Sequence, residues 1–439
     1  MLAVAGGVTA LVGLLIFFFM KSSKEMPRNW AQLVTELKMQ QCGFLALLED
    51  AFLRRSNRVE LYKQPGKIAL LTGGNRGIGL RIVKKLVECD IEVILGVRNP
   101  VESKKAVEKY LEHGKVTGAK LHFEQLDIGS MKSVRAFAAR VQAKFDKIHI
   151  LFNNEIMWIL LLLVGYTSAL DLSSTKLDKS GAVLERIPNV AFVKQHLKMA
   201  TYVDLDKLKE EMKFAQNMTV MTKDACDRML AVNISKNSGV MCVPYKLTDD
   251  GFESHMAINY YGHFLLTHLL LPQLRAAGTP EARSRIVNVS SCVNKVGEID
   301  YADINRSKNY YPADAYNQSK LAQVLFAKHI NLQFEMDDVP VQAHSLHPGV
   351  VNTDLFEHSS TNYVPWVRQL LFKNPEEGAR TVVYAAIAPQ LEGKGGTYLS
   401  NCRVMTCHRH WKNSVQCEKL FRFTCDTLGI KNFYGSSEQ

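Results

Sequence analysis

Tyr316 and Lys320 stand four residues apart in the run Tyr316-Asn317-Gln318-Ser319-Lys320. On a helix that spacing puts a phenol and an ammonium on one face. A free tyrosine, with pKa ~10, is a poor base at neutral pH. A fixed positive charge beside it favours the phenolate and brings it toward the working range. Such a pair takes a proton from an alcohol as hydride departs, and returns it to a carbonyl in reverse. A bare match to this spacing is usually surface chemistry. This one gains weight because it lies one element after SRIVNVSS, which reads as a strand. Ser291 closes that strand and could hydrogen-bond a reacting oxygen. Ser290 is its rival, and a serine that merely caps the strand end is the plain alternative. Asn259, in INYYGHF, is a candidate polar kink holding a water against Lys320, or simply a satisfied buried asparagine.

The elements that must position these groups form a regular pattern. KIALLTG, EVILGVR, KLHFEQLD and IHILFNN read as strands, with the helical runs GNRGIGLRIVKKLVE, VESKKAVEKYLEH and MKSVRAFAARVQAKF between them. After a break come helix TDDGFESHMAINYYGHFLLTHLLLPQL, strand SRIVNVSS and helix AYNQSKLAQVLFAKHINLQFE. Strand VQAHSLHPG, helix EEGARTVVYAAIA and the short strand GGTYLS complete the series. Strands alternating with helices imply right-handed crossovers and a parallel sheet. The expected fold is therefore α/β, a Rossmann-type doubly wound parallel sheet.

TGGNRGIG at 72–79 joins the first strand to the first helix. Gly73 permits a tight turn, Gly77 lets backbone approach a pyrophosphate, and Gly79 lets helix and strand pack closely. Asn75, Arg76 and Ile78 complete the turn, and the helix start offers unpaired N–H groups to a diphosphate. No Lys-Ser or Lys-Thr pair follows, so this is not a Walker loop. An acidic residue ending the second strand would favour a free ribose 2′-hydroxyl; this chain has Arg98 there, with Arg76 in the turn. Arginine meets a 2′-phosphate bidentately, which favours NADP(H) over NAD(H), although solvated surface arginines are the plain alternative. Asp127 follows the third strand, placed for an adenine amino group.

TGGNRGIG, LFNN at 151–154, INYYGHF, IVNVSS, YNQSK and HPGVVNTDL occur in the order of the short-chain dehydrogenase/reductases. Their detail resembles the retinol-dehydrogenase-like branch. The resemblance covers 67–154 and 238–430. It implies that Tyr316 is the proton donor or acceptor, Lys320 its partner and ribose ligand, Ser291 the orienter of the substrate oxygen, and Asn259 part of a proton relay. It also places Asn153 at the cofactor, and Pro348, Gly349 and Thr353 at its nicotinamide end. A lipid-like alcohol or carbonyl of retinoid or polyprenol type is the implied substrate. A homodimer through the helices bearing Asn259 and Tyr316 is a further implication.

One departure stands out. The family reads Asn-Asn-Ala-Gly after the fourth strand, where this chain reads Asn153-Asn154-Glu155 and resumes at Ser238-Gly239-Val240-Met241. The stretch 155–237 enters at a cofactor-contacting turn. Loop closure entropy grows only logarithmically with length, so the fold tolerates it more readily than the site does. A catalytically silent nucleotide-binding membrane protein is therefore the rival reading.

The remaining features bound the rest. A hydrophobic share of 47% and a charged share of 22% are ordinary for a globular chain. The net charge of +11 is spread along the sequence, without zinc-finger spacing, RNA-binding aromatics or a basic heptad region, so no nucleic-acid partner is expected. Nine cysteines without a regular framework read as reduced thiols, and the tail cluster Cys402, Cys407, His408, His410, Cys417 and Cys425 lacks a CxxC pair, so no metal is expected. Met1 to Met20 carry no charge, about the length that crosses ~30 Å of hydrocarbon. Lys21, Lys24 and Arg28 follow, which favours a cytosolic body behind a transmembrane signal anchor, in the endoplasmic reticulum as the resemblance implies. Residues 21–65 read as a juxtamembrane segment with a helical apolar stripe at Trp30, Leu33, Leu37, Phe44, Leu47 and Leu48, a pattern more often core or linker packing than a membrane-binding helix.

Overall fold

A computed structural model describes residues 27–154, 241–351 and 372–435. The expected anchor at 1–20, Thr353 and all of 155–237 lie outside the described residues. Helix α1 (Trp30–Leu53) comes first. It is followed by β1 (Ile68–Thr72), α2 (Gly77–Glu88), β2 (Glu92–Val97), α3 (Pro100–His113), β3 (Leu121–Gln125), α4 (Met131–Gln142) and β4 (Ile150–Asn153). The second half holds α5 (Gly262–Ala277), β5 (Ser284–Val289), α6 (Pro312–Met336), β6 (Val341–His347) and α7 (Pro375–Ile387). It ends with β7 (Tyr398–Ser400), β8 (Arg403–Val404) and α8 (Ser414–Leu428).

The strands form one sheet in the order β3-β2-β1-β4-β5-β6-β7-β8, parallel except for the β7–β8 pair. The chain winds outward from β1 to β3 and returns to place β4 beside β1. That reversal opens a crevice at the carboxyl ends of β1 and β4, the usual ligand position in such sheets.

Helices cover both faces, which is why the strands read as continuous apolar runs and not as alternating ones. Leu70, Ile94, Leu151 and Ile286 face a core shared with Phe137, Phe264, Phe326 and Phe421 from α4, α5, α6 and α8. Ala69, Leu71, Val93, Leu95 and Val287 face the other core, with Ile82, Val83, Val107 and Val382 from α2, α3 and α7.

Helix α1 departs from expectation. Leu47 is buried, but Trp30, Leu37 and Leu48 of the anticipated packing stripe are exposed. The helix instead packs through Gln32, Glu36, Cys42, Ala46, Leu47 and Asp50. Among the described residues, no helix is long and apolar enough to cross a membrane.

Candidate active site

The glycine turn has the expected backbone. Gly73 and Gly77 take φ of +68° and +53°, the left-handed region that favours glycine. A Cβ on Gly74 would run into the buried side chains of Leu95, Leu71 and Val83, so the turn packs directly onto the core at that point. Helix α2 begins at Gly77 with no side-chain cap. The same holds for α5 and α6, whereas α1, α3, α4, α7 and α8 are capped by Asn29, Asn99, Ser130, Asn374 and Asn413. The amides and positive dipole end of α2 are thus left for an anion. Gly79 and Ile78 lie in the first turn of α2, Gly79 buried and Ile78 packed against the core. Asn75 instead ties the turn to α3, donating to Ser103 Oγ at 3.0 Å.

Arg98 and Asp127 meet at the ends of β2 and β3. The guanidinium Nε lies 3.3 Å from Asp127 Oδ1, which also accepts the Gly129 amide at 3.1 Å. The sequence separates these groups; the structure makes them one polar rim. Asn153 closes β4, donating to Thr267 Oγ1 at 3.0 Å and Asn288 Oδ1 at 2.7 Å. Asn154 is held on Thr72, its backbone amide donating to Oγ1 and its side-chain amide to the carbonyl. Among the described residues, the Oδ1 atoms of both asparagines are buried without a hydrogen-bond donor.

Tyr316 and Lys320 lie one turn apart on α6, 2% and 3% exposed, with the Lys320 ammonium 5.6 Å from the Tyr316 ring centre. Ser291 follows β5 and is part-exposed, whereas buried Ser290 donates to the Lys320 carbonyl at 2.7 Å. Its hydroxyl is tied to the helix, which leaves Ser291 as the serine at the strand mouth. Asn259 sits in a π-turn, Ala257–Tyr261, immediately before α5. Its side-chain amide donates to Ser319 Oγ at 3.0 Å, and its carbonyl accepts Gln323 Nε2. A π-turn bends the backbone here, and the Asn259 side chain is buried and hydrogen-bonded. Pro348 and Gly349 follow β6, and Gly349 takes φ +101°.

Three groups beside the site escaped the sequence reading. Asp50 of α1 reaches the strap after β6, where its Oδ2 accepts the Val350 amide at 2.7 Å. Cys42 Sγ donates to the Cys292 carbonyl, next to Ser291, at 3.0 Å. His255 forms a fully buried pair with Glu253 (Nδ1 to Oε1, 2.7 Å), its ring 6.2 Å from that of Tyr316. Glu-x-His lies inside a helical run and gives no periodic signal. Asp50 is joined to Val350 across 300 residues of chain, a pairing that no local pattern reveals.

The short chain dehydrogenase family matches residues 67–160 and 175–363. The chain is 31% identical to the polyprenol dehydrogenase of Homo sapiens, over 84% of this chain and 86% of that one. The Danio rerio polyprenol dehydrogenase is also 31% identical, covering 89% and 95%. Retinol dehydrogenase 12 of Mus musculus is 28% identical, covering 84% and 88%.

This chain belongs to the short-chain dehydrogenase/reductase family. It is an oxidoreductase of the retinol-dehydrogenase-like branch. The crystal structure of an uncharacterised protein from Mycobacterium Paratuberculosis shares its fold, with TM-score 0.52 and 22% identity over 84% of this chain and 96% of that one. A nicotinamide dinucleotide is the cofactor the family implies. The left-handed glycines of the turn, the uncapped start of α2 and the unsatisfied acceptors of Asn153 and Asn154 fit such a group. The Arg98–Asp127 rim lies where its adenosine end would be read.

Proposed function

We infer that the enzyme interconverts a lipophilic alcohol, of polyprenol or retinoid type, with its aldehyde or ketone, using NADP(H) in preference to NAD(H). The observation that carries this reading is the pairing of Tyr316 with Lys320 beneath the mouth of β5, with Ser290 tied off and Ser291 left at the strand end. The cofactor, when bound, supplies or accepts the hydride. The chain's own residues handle the proton. Tyr316 takes it from the alcohol in oxidation and delivers it to the carbonyl oxygen in reduction. The Lys320 ammonium favours the phenolate by charge. Ser291 donates to the reacting oxygen and fixes its orientation. Asn259 holds α6 through Ser319 and passes protons onward from Lys320 through a water. Asn153, Pro348, Gly349 and Thr353 line the nicotinamide end. Gly73, Asn75, Arg76, Gly77, Ile78 and Gly79 hold the diphosphate, with Arg98 on the 2′-phosphate and Asp127 on adenine.

Substrate chemistry comes from the relatives' names and from the apolar N-terminal run, which suits an enzyme whose substrate dissolves in a bilayer. The catalytic body would face the cytosol behind a membrane anchor at 1–20, and pair as a homodimer through α5 and α6.

The rival reading, a silent nucleotide-binding protein, is motivated by Glu155 at the position where the family has a small residue. Titration with NADPH followed by turnover of retinal or a polyprenal separates the two. Turnover that Tyr316→Phe lowers by roughly 10²–10⁴-fold, with NADPH binding retained, supports the enzyme. NADPH binding without turnover in the unaltered chain would replace it with the silent reading.

A further inference from the structure

Helix α1 is inside out for a helix packed on a globular body. The face it turns to the catalytic unit carries Gln32, Glu36, Cys42, Ala46 and Asp50, all buried. The opposite face carries Trp30, Leu37, Leu45, Leu48 and Phe52, with Trp30 75% and Phe52 82% exposed. At helical periodicity these five fall within a stripe about a quarter of the circumference wide. A surface helix ordinarily turns its apolar stripe inward. Single exposed leucines need no explanation, but a continuous stripe of large side chains does.

We propose that this stripe is seated in the headgroup region of a lipid bilayer. Three features of the chain favour lipid as the occupant. The stripe begins shortly after the uncharged run Met1–Met20, separated from it by a linker holding Lys21, Lys24 and Arg28. Lys38 and Arg55 are exposed along and just beyond the helix, beside Arg54, which is paired with Glu377, whereas Glu49 is the helix's only acid that is not buried. Excess basic charge beside an apolar face suits an anionic leaflet. Trp30, at the end nearest the apolar run, is the residue type that favours the boundary between headgroups and acyl chains.

The helix is also fixed to the catalytic unit. Its polar side is stitched to the Cys292 carbonyl, the Val350 amide and the Tyr311 hydroxyl. A bilayer on the outer side would lie one helix diameter, about 10 Å, from the mouth beside Ser291. The inference rests on the proposed function only in taking the substrate to be lipophilic; the lipid contact itself does not depend on catalysis.

The full chain reconstituted in phosphatidylcholine–phosphatidylserine vesicles provides the test. The Trp30 signal is obtained by difference against Trp30→Phe. Quenching by a doxyl lipid labelled near the headgroup, stronger than by one labelled at the chain end, together with shielding from aqueous iodide, is the expected result. A Trp30 open to iodide and blind to both lipids overturns the proposal. Shielding from iodide without lipid quenching means that protein covers the stripe, which overturns it equally. Leu45→Glu combined with Leu48→Glu gives the second readout. Turnover of a short water-soluble aldehyde stays unchanged, while turnover of a polyprenal held in the vesicles falls roughly tenfold. Equal turnover of the vesicle-held substrate in both proteins removes the proposed role in substrate access. Should the unaltered chain turn over nothing, the proposed activity fails and the quenching measurement still decides the lipid contact.

Discussion

The Lys373 ammonium lies 2.9 Å from the Asp50 carboxylate, with both side chains only 2% exposed. The pair joins α1 to the strap after β6 at more than one point. Asp50 also accepts the Val350 amide at 2.7 Å and the Asn401 side-chain amide at 3.0 Å, while the Lys373 backbone amide donates to the Val350 carbonyl. Burial alone would push the Asp50 carboxyl up. Lys373, His347 and the Val350 amide outweigh that and hold it below the usual carboxylate range.

Asp50→Asn leaves Lys373 as a buried charge without its counter-ion. The expected loss is about 3–5 kcal/mol of unfolding free energy, read by urea denaturation. Adding Lys373→Met removes the stranded charge and returns most of that stability. NADPH affinity is expected to stay weakened in the double variant, because the Val350 amide then meets at most a neutral amide oxygen in place of the carboxylate. Full recovery of both stability and affinity would show that the strap needs no help from α1.

The proposed function assigns Ser290 and Ser291 different roles. Ser291→Ala removes the hydroxyl at the strand mouth and lowers kcat by roughly 10²–10³, the usual effect of losing a donor to a reacting oxygen. Ser290→Ala removes a hydrogen bond to the Lys320 carbonyl and costs about 1 kcal/mol of stability, with kcat changed far less. Steady-state kinetics on the two variants checks the assignment; the reverse ranking would exchange their roles.

The proposed NADP(H) preference makes Arg98 the residue to test. Arg98→Asp places two carboxylates at the rim, Asp127 and the new one, and repels a 2′-phosphate. The ratio of kcat/KM for NADPH to that for NADH is expected to fall by at least about tenfold, the loss of one charge-assisted contact. An unchanged ratio would place the 2′-phosphate elsewhere.

Buried neutral histidines make the fold sensitive to mild acid. Burial pushes His263 and His344 down to about 3, and His347 and His329 to about 4. Each is protonated in the unfolded chain below ~6.5 but stays neutral in the native one. Their contribution to stability is therefore complete above that value and is lost as pH falls from it toward 4. The slope reaches about 1.4 kcal/mol per pH unit for each such group. His344→Gln, which preserves a polar side chain near Thr397 Oγ1, is expected to flatten the slope by one proton. Urea midpoints measured across this range provide the check.

The sheet was legible because its strands are buried on both faces and so appear as unbroken apolar runs. The glycine turn and the Tyr316–Lys320 pair were legible because each depends on spacing within a single element. Strand β8 left no trace, being two exposed residues, Arg403 and Val404. Sequence alone leaves Ser290 and Ser291 as equals; the hydrogen bond from the Ser290 hydroxyl to the Lys320 carbonyl, 30 residues away, has no local signal. Helix α1 was read with its apolar stripe inward, the usual arrangement in water, and the structure reverses it. That reversal follows from Glu36 and Asp50, which meet Tyr311 and Lys373 only after the whole chain has folded.

The stitching of α1 also bears on biosynthesis. Asn57 donates to the Glu377 carbonyl across 320 residues of chain, and Asp50 accepts from Asn401 across 351. These early residues leave the ribosome long before their partners exist. The first helix must therefore wait, and the catalytic mouth closes only near the end of translation. A message cut short before α7 would yield a polypeptide whose opening segment still meets Cys292, Tyr311 and Val350 but lacks Glu377 and Asn401, so its C-terminal end would stay unfastened.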